Sequence, residues 1–234
     1  MVTVRPSRDR GHADEGWFDS RHSFSFGGYQ DPAHTHWGPL RVINEDRVAP
    51  GRGLETQYQQ DMEIISYVLE GALGHRDSLG TASSIEPGDV QRMSAGKGVQ
   101  QSEANPDTSG AAHFLQIWIA PDQQGAPPSY SQKHFPDAEK RGKLRLVVSG
   151  DGAQGSVSIR QDARLYAGLL EGDEQAALPL ASGRLGYVHV ARGAVVANGH
   201  ALKAGDALLL QDEPSVRLET GRHAEVLVFD LPQA

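Results

Sequence analysis

Apolar residues occur along this chain in short runs that are separated by glycine, proline and polar residues. Runs of this length, rarely holding a helical period, are typical of short β-strands joined by tight turns. Asn198-Gly199 stands between the apolar segments 193–197 and 200–202, which indicates a two-residue hairpin turn. Only residues 137–142 suggest a short helical turn. The pattern predicts an all-β fold.

The two halves of the chain share a pattern of strand, glycine turn and strand, followed by a Gly-Asp turn. In the first half, residues 67–71 lead to Gly88-Asp89, and in the second, residues 188–193 lead to Gly205-Asp206. Residues 123–129 between them are rich in glutamine, glycine and proline, which is typical of a linker. We therefore predict two tandem β-barrels, with an N-terminal domain over residues 1–125, a linker over 126–143 and a C-terminal domain over 144–234.

Composition and charge exclude several classes of function and of site. The net charge of −8 argues against a protein that binds nucleic acid by itself. No apolar run approaches the roughly 20 residues of a membrane span, so no membrane association is expected. The absence of cysteine excludes disulfides, thiolate zinc sites and cysteine nucleophiles. The first residues lack the apolar core of a secretory signal, and we expect a cytoplasmic protein.

Two spaced motifs indicate where a site would lie. Gly51 is followed by five residues, then Gln57-Tyr58-Gln59, three residues and Glu63, and further on Gln101 and Glu103 precede Asn105. The spacing resembles the cupin motifs, in which Gly is followed by five residues, His-x-His, three residues and Glu, and a later His stands four residues before Asn. Residues i and i+2 of a strand point to one face. We predict that Gln57, Gln59, Gln101 and Glu103 converge inside the first barrel.

Longer stretches resemble the pirin family, and the second half resembles its bacterial quercetin 2,3-dioxygenase branch. The resemblance implies a bicupin of two double-stranded β-helix barrels, with a divalent iron, nickel, copper, manganese or zinc ion in the N-terminal barrel only. For many bacterial members it also implies oxygen-dependent ring opening of quercetin, and hence a small aromatic or flavonoid-like ligand. The stretches in the first half are Phe24–Phe26, Gly38–Asp46, Asp61–Glu63, His75–Ser78, Gly88–Gly96 and Ser102-Glu103, and those in the second are Gln161–Tyr166, Gly205-Asp206 and Phe229–Leu231.

The chain departs from the family at the metal ligands. By the resemblance, the family's three histidines correspond to Gln57, Gln59 and Gln101, and its glutamate to Glu103, the one retained ligand. Amide oxygens are neutral hard donors, whereas imidazole nitrogen suits the transition metals. Calcium sites, in turn, usually recruit more carboxylates. We expect no resident metal or other cofactor, no assignable catalytic residue, and a pKa of Glu103 that burial raises.

Other polar residues offer weaker sites. His34-Thr35-His36 has the i, i+2 spacing but follows Asp31-Pro32 in a predicted loop, so a surface or structural role is favoured over metal binding. His75 matches a position that the family keeps outside the metal shell. Glu63 either faces the pocket or, as the family pattern favours, anchors the structure. The C-terminal half has no metal motif, and we expect a structural barrel there.

Three functions remain open. The first is a pirin-like bicupin with a degenerate, metal-free site that binds a small molecule or a partner. The second is a metal-dependent, quercetin 2,3-dioxygenase-like oxygenase that uses Glu103 and nonstandard ligands. The third, a transcriptional co-regulator, rests on analogy with nuclear pirins, and no feature of this sequence supports it. Whether the protein is an enzyme, and its oligomeric state, are left open by the sequence.

Overall fold

The structure is a computed structural model that describes residues 1–233, and within them it is built almost wholly of β-strands. The predicted all-β fold is confirmed. The helical segments in this range are the short 3-10 turns Ser7–Asp9, Asp137–Glu139 and Ala153–Gly155, none of which has the length to cross a bilayer. The strands are β1 Val2–Arg5, β2 Gly11–Asp14, β3 Phe18–His22, β4 Leu40–Val48, β5 Gln57–Gln59, β6 Glu63–Glu70, β7 Leu73–Asp77, β8 Ala82–Ile85, β9 Asp89–Ser94, β10 Val99–Ala104, β11 Ala112–Ile119, β12 Ser129–His134, β13 Leu144–Ser149, β14 Val157–Ser158, β15 Arg164–Gly172, β16 Ala176–Pro179, β17 Arg184–Ala197, β18 His200–Lys203, β19 Ala207–Gln211 and β20 Ser215–Pro232.

The N-terminal barrel consists of two sheets. A seven-stranded sheet has the order β12-β9-β6-β11-β4-β3-β2, and a four-stranded sheet has the order β5-β10-β7-β8. The pairs in both sheets are antiparallel, so neighbouring strands present matched faces to the barrel interior. The smaller sheet carries β5 and β10, on which the motif residues lie.

The C-terminal barrel is formed by one nine-stranded sheet with the order β1-β19-β17-β20-β15-β13-β14, in which β16 also pairs with β20 and β18 with β17. Register shifts between β17 and β20 bend these long strands. The predicted hairpin is confirmed, because Ala197 pairs with His200 around Asn198 and Gly199, whose φ angles are 46° and 81°. Two positive φ angles are those of a type I′ turn.

Two strands pair outside the predicted domain limits. β1 pairs with β19, so Val2–Arg5 lies in the sheet of the C-terminal half. β12 pairs with β9, so the segment predicted as a linker, 126–143, extends the sheet of the N-terminal half. Both pairings join residues far apart in sequence, and the local composition of a segment does not predict such a partner. Each half is thus completed by chain from beyond the predicted boundary.

Because side chains alternate between the two faces of each strand, the buried residues form three distinct regions. One face of the larger N-terminal sheet, including Ile65 and Leu115, packs against Phe229 of the other half and forms the core between the barrels. The interior of the C-terminal barrel is aliphatic, with Val188 and Val226 among its residues. In the N-terminal barrel, two separate apolar clusters occupy the interior instead. The residues between those two clusters define the candidate site.

Candidate functional site

A layer of polar side chains lies between the two apolar clusters of the N-terminal barrel. On β6, Ile64 belongs to one cluster and Val68 to the other, and buried Ser66 lies between them on the same strand face. Phe114 and Trp118 flank buried Gln116 on β11 in the same way. Because residues i and i+2 share a face, Ser66 and Gln116 point into the barrel.

Glu103 of β10 is buried and reaches this polar layer from the opposite sheet. Ser66 Oγ donates a hydrogen bond to Glu103 Oε1 at 3.1 Å, and Gln116 Nε2 donates to Glu103 Oε2. Trp118 Nε1 donates to Gln116 Oε1 at 3.0 Å, which fixes the orientation of the amide. Burial raises the pKa of Glu103 to about 7, against the opposing effect of the two hydrogen bonds. The expected direction of this shift is confirmed.

Asp46 of β4 is a second buried carboxyl near Glu103. It accepts a hydrogen bond from Ser20 Oγ, which is in turn 2.9 Å from His22 Nε2. The pKa of Asp46 is raised to about 7, mainly by burial. The hydrogen bond from Ser20 opposes this shift, and the nearby charge of Glu103 contributes to it. Two carboxyls thus share one desolvated region, where each of them stays protonated to a higher pH than a carboxyl in water does.

The three motif glutamines lie at one end of the smaller sheet. Gln57 on β5 pairs in register with Gln101 on β10, and Gln59 Nε2 donates to Gln57 Oε1 at 3.3 Å. Gln101 is buried beside Glu103 on one strand face, and its Oε1 has no partner within residues 1–233. Gln57 is exposed and Gln59 half-buried. The structure therefore brings Gln101 and Glu103 onto one buried face, and a cavity shared by all four stays a prediction.

His75 and Tyr130 extend the polar layer. His75 on β7 is the register partner of Glu103, and its Nε2 lies 2.8 Å from Asp77 Oδ2. Its ring stacks on Tyr130 with 4.9 Å between ring centroids. The hydroxyl of Tyr130 donates to Gln91 Oε1 at 3.0 Å. His75 is thus placed next to the one retained family ligand while its ring is oriented by a neighbouring carboxylate.

Several residues of the layer are missed by motif spacing. Ser66, Gln91, Gln116 and Asp46 have no motif of their own and are not predicted from the sequence. For Ser66 and Gln116 the available signal is a lone small polar or amide residue within an apolar run, because burial of such a side chain needs a hydrogen-bond partner across the barrel. Asp46 and Gln91 lie in strands with several polar residues and carry no such signal. That signal marks positions but does not identify the partners.

Glu63 and the histidines of the loop lie elsewhere. Glu63 is on the strand face of Ile65, opposite to that of Ser66, and accepts a hydrogen bond from Ser94 Oγ at 2.6 Å. This is the anchoring role. Within residues 1–233, the group of His and acidic side chains close enough to share a metal ion is His12, Asp14 and Asp19, which contains neither His34 nor His36.

Comparison with known proteins identifies the family. Residues 3–119 match the Pirin family and residues 146–231 match the family described as quercetinase C-terminal cupin domain. The quercetin 2,3-dioxygenase of Escherichia coli K12 is 41% identical over 99% of both chains. The chain belongs to the pirin family. A pirin-like protein of Caulobacter vibrioides is 39% identical over 98% of this pirin and 99% of its own length.

A solved pirin has the same fold. The crystal structure of the bacterial pirin YhhW from Escherichia coli in complex with nickel(II) is 40% identical to this pirin, covers 100% of both chains and superimposes with a TM-score of 0.95. The predicted membership and bicupin architecture are therefore confirmed.

Proposed function

We propose that this pirin is a small-molecule-binding protein whose N-terminal barrel has a degenerate metal site and takes an aromatic, hydroxyl-bearing ligand without a transition metal. The observation that carries the proposal is the donor set. At the positions that correspond to the family ligands, the chain offers the amides of Gln57, Gln59 and Gln101 and the carboxyl of Glu103. A cytoplasmic location, supported by the absence of cysteine, belongs to the same proposal.

These four residues do not fit a transition-metal ion. Imidazole nitrogen is the donor that suits iron, copper, nickel and zinc, and the set contains none. Both oxygens of Glu103 already accept hydrogen bonds, from Ser66 and Gln116. A metal bound at Glu103 would compete with these bonds, and the amides would add no negative charge to offset its desolvation. The proposed function therefore includes no metal-dependent chemical step.

The polar layer is suited to a polyphenol-like ligand. Half-buried Phe26 and Trp118 form an edge-to-face pair with 5.5 Å between ring centroids, and Tyr130 packs with Trp118 against the same apolar cluster. Buried amides such as Gln101 offer both donors and acceptors to ligand hydroxyls. Such a combination of aromatic walls and a few convergent polar groups is typical of small-molecule pockets.

A quercetin 2,3-dioxygenase-like oxygenase is the second candidate. Its support is the E. coli relative of that name at 41% identity and the nickel complex of a solved pirin. This alternative requires a metal held through Glu103 and ligands outside the usual set. It differs from the first proposal in metal content and in oxygen consumption, which makes the two separable by direct measurement.

Metal analysis and oxygen uptake test the proposal. We expect the purified protein to contain no stoichiometric transition metal and to consume no oxygen with quercetin, while quercetin quenches its tryptophan fluorescence in a saturable manner. Trp118→Phe should remove most of the quenching. Oxygen uptake on addition of iron, nickel, copper or manganese, lost in Glu103→Ala but kept in the exposed control Glu86→Ala, would establish the oxygenase instead.

A further inference from the structure

A cationic cleft lies between the two barrels, on the opposite strand face from the polar layer. It has a volume of about 540 Å³ and is lined by residues of both halves of the chain. Arg21 and Arg47 come from β3 and β4 of the N-terminal sheet, and Lys203 comes from the end of β18. Glu45, which shares its strand face with Arg47, also lines the cleft, whereas Asp46 points into the barrel.

Positive charge is in excess in this cleft, although the whole protein has a net charge of −8. Five cationic side chains line it against the two carboxylates of Glu45 and Asp206. The cationic side chains are Arg8, Arg10, Arg21, Arg47 and Lys203. Because the rest of the surface is acidic on balance, this concentration of cations creates a local field that attracts anions.

Both carboxylates of the cleft already have partners. Glu45 Oε2 accepts a hydrogen bond from Arg10 at 2.8 Å, whereas Oε1 accepts one from Arg47 at 3.3 Å and lies 2.9 Å from His113 Nε2. Burial opposes ionisation of Glu45, but the contacts with His113 and Arg10 prevail and hold its pKa well below the usual range. Asp206 accepts hydrogen bonds from the backbone N–H groups of Ser7 at 2.7 Å and Lys203 at 3.0 Å.

The remaining cations are weakly compensated. The nearest acidic oxygen to Arg8 Nε is 3.7 Å away, on Asp9, and the nearest to Arg21 Nε is 3.9 Å away, on Asp19. Lys203 is exposed and forms no ion pair within residues 1–233. The charged groups of Arg8, Arg21 and Lys203 thus face one cleft and have hydrogen-bond donors available for a ligand.

Arg10 is a second and independent indication of a ligand. Its side chain is only 3% exposed, and Nε and Nη1 are buried without a hydrogen-bond partner within residues 1–233. Unpartnered buried N–H donors are costly, and a guanidinium with free donors is suited to planar or tetrahedral oxyanions. An arginine that is buried, charged and partly without hydrogen-bond partners at the wall of a cleft therefore adds to the attraction of an anion there.

We propose that this cleft binds the phosphate group of a small phosphorylated molecule, which bridges Arg21 of one barrel and Lys203 of the other, with Arg8 beside them. A phosphate group carries up to two negative charges and three strong acceptor oxygens, so it uses several cations at once, which a single carboxylate does not. The cleft volume is in the range of small-molecule pockets. The site is separate from the proposed pocket inside the barrel and does not depend on it.

Calorimetric titration with pyrophosphate and inorganic phosphate at low ionic strength tests the proposal. We expect saturable binding of one pyrophosphate per chain, tighter than phosphate, weakened by added salt. Lys203→Ala and Arg21→Ala should each weaken binding about five-fold or more, from opposite sides of the cleft. Lys203→Arg should restore it. The matched control, Lys143→Ala, removes an exposed cation outside the cleft and should leave the affinity unchanged.

Three results would overturn the assignment. The first is no saturable heat with pyrophosphate at millimolar concentration, and the second is equal loss of binding in Lys143→Ala, which would indicate a general charge effect. The third is tighter binding of a short single-stranded oligonucleotide, competitive with pyrophosphate, which would assign the cleft to nucleic acid. Thermal unfolding of the same variants with pyrophosphate provides the fold control, since a ligand that binds only the folded state raises the melting temperature.

Discussion

Replacement of Glu103 by glutamine tests whether the N-terminal barrel holds a cation. The carboxyl is buried, and its oxygens accept hydrogen bonds from Ser66 and Gln116. Glutamine has nearly the same shape and keeps one acceptor oxygen, but it carries no charge to desolvate. If no cation is bound, Glu103→Gln should stabilise the protein at alkaline pH, because the parent must then bury an ionised carboxylate.

The magnitude follows from the pKa of Glu103, which burial raises from 4.5 to about 7. The unfolded chain releases the proton near the lower value and the folded chain only near the higher one. Stability from this group is therefore complete below the lower value and is lost as the pH rises to about 8. At about 1.4 kcal/mol for each unit of pKa difference, the loss is about 3 kcal/mol, and Glu103→Gln should abolish it.

Urea denaturation of parent and variant at about pH 5 and about pH 8 measures this difference. The gain in unfolding free energy from Glu103→Gln should appear at the higher pH and vanish at the lower one, and exposed Glu86→Gln should show neither effect. A variant that is less stable than the parent at about pH 8 would refute the reasoning. Glu103 would then be ionised and paired with a cation in the folded protein, as a resident metal requires.

Three further predictions address the motif positions in the N-terminal barrel, a buried histidine and the apolar core between the barrels. Gln57→His, Gln59→His and Gln101→His together should create a site that binds nickel or iron, detected by metal stoichiometry. Its affinity should be about 10- to 100-fold below that of a site with full outer-shell support. Burial lowers the pKa of His189 to about 3, so stability should fall by about 1.4 kcal/mol for each pH unit below its unfolded pKa of 6.5, and His189→Phe should remove this slope in denaturation curves. Leu115→Ala, at a fully buried position between the barrels, should lower the unfolding free energy by about 2–5 kcal/mol in the same assay.

Local sequence patterns were sufficient for the strands, the turns and the position of the motif. The Asn198-Gly199 turn requires positive φ at both residues, and the structure has it. The spacing from Gln101 to Glu103 places both side chains on one strand face, and both are buried. Each of these features depends on residues a few positions apart, whose geometry a strand or a two-residue turn determines by itself.

Features that depend on distant partners were not predictable in this way. Val2 pairs with Leu210, and no property of the first five residues indicates that partner. Glu63 stands at the expected motif spacing, yet it faces the Ile65 side of β6 because β5 and β6 are separate strands with independent orientation. The hydrogen bonds that fix Glu103 come from Ser66 and Gln116, on two other strands of the opposite sheet. Cross-barrel contacts of this kind follow from sheet register, which a single sequence does not define.

The two barrels show that this chain fills the same architecture in two different ways. The C-terminal interior is aliphatic, including Val188, Leu208 and Val226. Buried His189 is on the opposite strand face, which it shares with Tyr187 of the core between the barrels. The N-terminal interior instead contains a layer with two buried carboxyls, Asp46 and Glu103. Burying such groups costs free energy that an aliphatic filling avoids. A structural role alone therefore gives no reason for the polar layer, whereas recognition of a hydroxyl-bearing ligand requires donors and acceptors of this kind inside the barrel.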